Sequence, residues 1–218
     1  MLFRDRYDAG LRLARAVKGE TLPGAVALCI PRGGVVVGSV VAEELKIPLD
    51  LIIPRKIGAP ANPEVAIGAV AQDGSAFLNE SLVSAMGIGP EELDRLVQNE
   101  VAEIKRRMTA YRGSTEYGEL SGEGVILVDD GAATGYTMLA AARFCRKTLR
   151  PACLVIAVPV APPETVALFN KEADRVVCLH SPEEFYAVGQ FYIDFSQTED
   201  NEVLSILKKC GNNYLHSG

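Results

Sequence analysis

Two adjacent carboxylates, Asp129 and Asp130, follow the apolar run Val125-Ile126-Leu127-Val128, and Gly131-Ala132-Ala133-Thr134-Gly135-Tyr136-Thr137 comes directly after them. The two halves of this segment suit opposite ligands. Carboxylates accept hydrogen bonds, so their natural partners are hydroxyl donors or a cation. The small residues let backbone N–H groups approach a ligand closely. The start of a helix adds partial positive charge there, and Thr134 and Thr137 add hydroxyl donors, so that end suits a phosphate. A ligand that satisfies both ends carries a diol and a phosphate, as ribose 5-phosphate does. An acidic turn that only caps a helix would not need both the glycine spacing and the two threonines. No Lys-Ser or Lys-Thr follows the glycines, so this is not a Walker loop, and the G-x-G-x-x-G spacing of a dinucleotide site is missing.

A second group of polar residues follows two other apolar runs. The run 25–30 ends in Pro31-Arg32-Gly33-Gly34, just before a helical pattern. Gly33 and Gly34 permit close approach, and Arg32 offers forked donors for phosphate oxygens. The run 49–53 ends near Arg55-Lys56. Residues 57–68 then hold two prolines and two glycines among small residues and read as a mobile loop. Glu64 is the only acid between Ile57 and Gln72.

The elements that must position these residues alternate. Helical spacing covers 5–18, 34–46, 90–112, 137–148 and 163–171. In 90–112, Leu93, Leu96, Val97, Ile104, Met108 and Tyr111 share a face, with Glu91 and Glu92 early and Arg106, Arg107 and Arg112 late, as the helix dipole favours. Buried strands are expected at 25–30, 49–53, 125–128 and 152–158, and a further strand at 175–179. A strand pair is expected over 66–71 and 75–78, around Asp73-Gly74. The tail from Ser181 reads as irregular, with a short helix near 202–210. Continuous apolar strands alternating with helices specify an α/β fold, a parallel twisted sheet with helices on both faces. Ligands of such sheets sit outside the carboxyl ends of the strands.

Composition sets the bounds. The chain has 218 residues, 48% hydrophobic and 23% charged, which fits one sizeable core or one core plus a small accessory part. The net charge of −6 argues against a broad nucleic-acid or anionic-membrane surface. No apolar run approaches a membrane span, and the first residues lack a signal core. Five cysteines without a C-x-x-C pair read as thiols in a reducing, cytoplasmic setting. His180 and His216 are too isolated to form a zinc site.

The stretch Val125–Thr137 resembles the signature of type I phosphoribosyltransferases that binds phosphoribosyl pyrophosphate (PRPP). The resemblance extends over about residues 24–195 and is greatest to a bacterial group with no assigned acceptor. It implies a PRPP-binding core over 20–180 and a small hood built from 1–19 and 181–218. It implies that Asp129 and Asp130 bind the ribose hydroxyls and that Gly131, Ala132, Ala133, Thr134, Gly135, Tyr136 and Thr137 hold the 5-phosphate. Arg32, Gly33, Gly34 and Lys56 would take the pyrophosphate, and residues 57–72 would be a catalytic lid with Glu64 assisting proton transfer. Magnesium would reach the acids indirectly, through PRPP or water. Members for hypoxanthine and guanine carry an Asp at the place of Ala133, whereas adenine-type members carry Ala. Segment 180–195 holds five of the chain's fourteen Phe and Tyr residues. Of these, Phe185, Tyr186, Phe191 and Tyr192 are candidates to stack on the acceptor base. The expected reaction transfers ribose 5-phosphate from PRPP to a nitrogenous base and releases pyrophosphate. The alternatives are a non-catalytic PRPP or nucleotide-binding regulator on the same fold, and a phosphotransfer enzyme, for which no ATP-binding element is found. Dimers are common in the family.

Overall fold

The computed structural model describes residues 1–20 and 24–210, so His216 and the end of the hood segment lie outside the described residues. In chain order it contains α1 (Arg6–Val17), β1 (Val26–Cys29), α2 (Gly33–Leu45) and β2 (Leu49–Leu51). Then come β3 (Arg55–Ala59), β4 (Asn62–Val70), β5 (Ala76–Leu78), α3 (Glu80–Ala85) and α4 (Pro90–Arg112). The second half has β6 (Gly124–Val128), α5 (Tyr136–Phe144), β7 (Cys153–Val160), α6 (Pro163–Glu172), β8 (Arg175–His180) and α7 (Asp200–Lys209). A single π-type turn, Cys145–Leu149, continues α5.

Five strands form a parallel sheet in the order β2-β1-β6-β7-β8. Side chains alternate across it. Ala27, Cys29, Ile126 and Val128 meet Leu13, Val37, Val41, Ile104 and Val203 from α1, α2, α4 and α7. Val26, Leu28, Val125 and Leu127 meet Met138, Leu139, Phe144 and Phe169 from α5 and α6. Both faces are covered, which is why the strands read as unbroken apolar runs. The chain leaves β1 toward β2 and returns on the other side of β1 as β6. The crossovers therefore diverge between β1 and β6, and that divergence opens a crevice at the carboxyl ends of these two strands.

Between β2 and β6 the chain makes a separate antiparallel sheet, β3-β4-β5. The expected loop over 57–68 is thus two paired strands. Ala59 pairs with Asn62, so Pro60 and Ala61 form the turn, and register shifts flank Gly58. Ile57, Ala59, Ile67 and Ala69 are buried, whereas residues 60–64 are exposed. The prolines sit in the turn and beside the irregular register, where no regular ladder donor is needed. The expected pair around Asp73-Gly74 is present as β4–β5, with Gly68↔Leu78 and Val70↔Ala76 in register.

Arg112 lies in the last turn of α4, as expected, and is buried there, with Nε and Nη2 donating to Asp50 Oδ1 and Oδ2 at 2.7 and 2.6 Å. Nη1 donates to the carbonyls of Ser114 and Glu116, and the guanidinium lies 4.1 Å from the Tyr117 ring centroid. Four of the five guanidinium N–H donors find partners, which offsets the cost of burying the pair. It ties the end of α4 to β2.

The N-terminal residues meet the segment after β8. Phe3 N–H donates to the Phe191 carbonyl at 2.8 Å, and Ile193 N–H donates to the Phe3 carbonyl at 2.8 Å. Phe3, Val160, Phe191 and Tyr192 form a third apolar cluster, which lies at the carboxyl end of β7. Helix α7 turns back against the sheet and buries Val203 and Leu207 in the first cluster. Among the described residues no helix is long and apolar enough to cross a membrane.

Candidate active site

Cys29 and Val128 are register partners at the ends of β1 and β6, and Ile30 N–H donates to the Val128 carbonyl at 2.9 Å. The two turns picked out from the sequence therefore leave the sheet side by side, in the crevice. They touch. A Cβ added to Gly33 would overlap Asp130 Oδ2 and lie 2.7 Å from Arg6 Nε. One added to Gly34 would lie 2.8 Å from both Asp129 Cα and Asp129 Oδ1. Only glycine allows this approach. The Pro31–Arg32 peptide is cis.

The acid pair is held firmly. Asp129 Oδ1 accepts the Asp130 N–H at 2.8 Å. Burial first, and the neighbouring Asp130 charge second, push the Asp129 carboxyl well above its ordinary range. Asp130 Oδ2 accepts Arg6 Nε at 2.7 Å in a largely buried ion pair. Arg6 Nη1 donates to the Ser196 carbonyl at 2.7 Å, and the guanidinium lies 4.0 Å from the Phe195 ring centroid. Tyr192 Oη donates to the Asp130 carbonyl at 2.6 Å. Arg6 escaped the sequence reading because nothing local distinguishes it from Arg4 or Arg12.

The turn after the acids presents backbone amides. Gly135 precedes α5 at φ 71°, a left-handed conformation, and no side chain caps the helix. A Cβ there would also meet Thr165 Cγ2 at 2.6 Å. Thr165 Oγ1 donates to the Ala133 carbonyl at 2.5 Å, and Ala132 N–H donates to the Val160 carbonyl at 2.9 Å. Ala133 and Thr134 are exposed, and Thr137 lies in the first turn of α5. The first N–H groups of a helix have no intrahelical partner, so this turn offers an anion its donors. The Tyr136 ring points elsewhere: it stacks on Phe77 at 5.6 Å, and its hydroxyl accepts Asn79 Nδ2 at 2.9 Å. Only its backbone can serve a ligand.

The other expected residues scatter more. Helix α2 starts at Gly33 without a side-chain cap or an acid in its first turn. Arg32 Nη1 lies 3.5 Å from Asp200 Oδ1. Lys56, on β3, pairs with Glu64 at 3.6 Å, and Glu64 is 91% exposed on β4. Of the four expected stacking rings, Phe191 and Tyr192 are only 7% and 6% exposed. Phe191 packs on Phe185 and His180, and Tyr192 packs on Phe3 and Phe195. These two rings belong to the third apolar cluster and do not face outward. Phe185 is half-buried and Tyr186 is 87% exposed.

The phosphoribosyl transferase domain model matches residues 23–196. The chain belongs to the phosphoribosyl transferase domain family. Sequences from two strains of Mycobacterium tuberculosis, provisionally named phosphoribosyl transferases, are each 39% identical over 217 residues. The match takes in all of this chain and 49% of theirs, so the chain spans about half the length of these relatives. A crystal structure from Thermus thermophilus is 40% identical, with a TM-score of 0.80 over 96% of this chain and 99% of that one. In this phosphoribosyl transferase domain, both motif turns fall inside the matched residues. Arg6 and Asp200, which reach into the site from α1 and α7, fall outside them.

Proposed function

We propose that the protein is a magnesium-dependent phosphoribosyltransferase that moves ribose 5-phosphate from PRPP to a nitrogenous base and releases pyrophosphate. The observation that carries this reading is the contact between Gly33-Gly34 and Asp129-Asp130 at the diverging crossovers. It brings acceptors for sugar hydroxyls against a helix start with free amides. The acids hold the ribose ring, and the amides from Ala133 to Thr137 hold the 5-phosphate.

Magnesium fits the donor set. Two adjacent carboxylates stand beside an anion site, and no cluster of three or more His, Cys, Asp or Glu is present among the described residues. Such a site suits an ion bound mainly by substrate oxygens. Bound there, the ion would offset charge on the departing pyrophosphate. Arg32 and the amides of Gly33 and Gly34 orient that group, and Lys56 adds charge from β3. Glu64, on the exposed end of the β3–β4 hairpin, takes a proton from the acceptor when the hairpin covers the site, which also excludes water. Phe185 and Tyr186 are the rings left to meet the base. The free thiols fit work in the cytoplasm, and a homodimer is the assembly proposed.

The decisive test is Asp129→Asn with Asp130→Asn, titrated with PRPP and magnesium in a calorimeter. Hydrogen bonds to charged groups contribute about 1.5–3 kcal/mol each, so binding should weaken at least roughly a hundredfold. Unchanged binding would remove the role given to the acids. A mass-spectrometric screen of bases with PRPP then identifies the acceptor.

Arg6 serves as a positioning residue for Asp130. Arg6→Ala should raise KM for PRPP about tenfold, the loss of one charge-assisted bond, and leave KM for the base unchanged. Arg6→Lys should recover only part, because a single ammonium cannot span Asp130 and the Ser196 carbonyl as the fork does. Equal changes in both KM values would show that Arg6 acts on the fold alone.

A further inference from the structure

Beside the Arg32 turn, between it and the carboxyl-terminal half of α4, lies a cleft of about 210 Å³ lined by Arg32, Arg106, Arg107, Ala110, Tyr111 and Asp200. We propose that Arg106, Arg107 and Tyr111 extend the anion site begun by Arg32, so that the cleft takes a pyrophosphate group. Asp200 then occupies it as an internal substitute. The inference rests on reading Arg32 as a pyrophosphate residue.

Two of the lining arginines share Glu103, which stands just outside the cleft. Its carboxylate accepts Nε and Nη2 of Arg106 at 2.7 and 2.9 Å and Nε of Arg107 at 2.8 Å. That fixes two guanidiniums about one helical turn from Tyr111. Each guanidinium carries five N–H donors, so one carboxylate cannot satisfy both. Around the cleft stand the cations Arg32, Arg106 and Arg107 and the anions Glu103 and Asp200, with Glu199 4.0 Å from Arg32. Without the start of α7, the balance of these groups is positive.

Asp200 behaves as a seated anion. Oδ1 accepts Tyr111 Oη at 2.6 Å and lies 3.5 Å from Arg32 Nη1. The Tyr111 hydrogen bond, with help from Arg32, holds its carboxyl below the usual range, and burial first, with Asp200 second, pushes the Tyr111 phenol up to about 12. Donor and acceptor thus keep their roles at neutral pH. The seat is nevertheless loose. The side chains of Asp200 and Glu199 are 65% and 70% exposed, and exposed ion pairs of this kind are weak. A pyrophosphate brings more charge and more acceptor oxygens than a carboxylate and matches forked donors better. It should displace Asp200 from Arg32 and Tyr111.

The test is titration of the full chain with inorganic pyrophosphate and magnesium. Arg106→Gln with Arg107→Gln should weaken binding at least about tenfold. Asp200→Asn should tighten it about two- to fivefold, the contribution of an exposed pair. Ala110→Glu, which places a carboxylate in the cleft and leaves every arginine intact, should weaken binding as the double variant does. Circular dichroism melts establish that each variant folds. Unchanged affinity in the Arg106/Arg107 double variant, no tightening in Asp200→Asn, or no pyrophosphate binding by the parent would each overturn the proposal. Transfer activity separates the two readings. If no base accepts ribose while pyrophosphate still binds through Arg106 and Arg107, the transferase assignment fails and the cleft stands.

Discussion

A Gly33→Ala variant should lose at least roughly a hundredfold in PRPP affinity, for the same reason that removing the acids does. The added methyl would occupy the position of Asp130 Oδ2 and crowd Arg6 Nε, so either the carboxylate or the start of α2 must move. Moving the carboxylate breaks its bond to Arg6. Moving α2 carries the Gly33 and Gly34 amides away from the proposed pyrophosphate site. Either response separates the two halves of the crevice. Forced overpacking of this kind costs about 1–3 kcal/mol of stability, so the protein should remain folded at room temperature. Gly89→Ala is the control. Its Cβ would meet nothing within 4 Å, and binding should match the parent. Calorimetry with PRPP reads both variants, and parental affinity in Gly33→Ala would mean that the two turns do not act on one ligand.

Asp50→Ala should be the most damaging substitution for stability. It leaves the Arg112 guanidinium charged, buried and without its carboxylate. Removing one member of a buried pair costs about 3–5 kcal/mol. For a chain of this size, that lowers the melting temperature on the order of 10 °C. The companion Asp50→Ala with Arg112→Met removes the stranded charge and should regain most of the loss, because apolar replacements of buried pairs are often neutral. A thermal scan of the three proteins decides it. A single variant that melts with the parent would show that water reaches the pair and screens it.

The sequence carried the two motif turns because their chemistry is local. Small residues, hydroxyls and acids stand next to one another along the chain, after apolar runs that can only be buried strands. What it hid is long-range. Arg6 and Asp130 are 124 positions apart, and Asp50 and Arg112 are 62 apart. No spacing rule connects such partners, so neither ion pair is legible along the chain. The β3–β4 hairpin was hidden for another reason. Its glycines and prolines have the composition of a loop, and only the burial of alternate residues against the sheet and α4 makes it a ladder. Phe191 and Tyr192 stood out as aromatic, but aromaticity does not tell a ring that meets a ligand from one that packs a hood. The Tyr192 hydroxyl still reaches the site, as a donor to the Asp130 carbonyl.

The meeting of Phe3 with residues 191–193, and of Arg6 with Ser196, fixes the order in which the crevice can mature during synthesis. Both motif turns emerge from the ribosome well before the tail does. A nascent chain that has not yet reached Ser196 can pair β1 with β6, but Arg6 has no carbonyl to settle against and Asp130 has no Tyr192 beneath it. Such a chain would own every signature residue and, on the proposed reading, still grip a sugar poorly until residues 191–196 join the crevice.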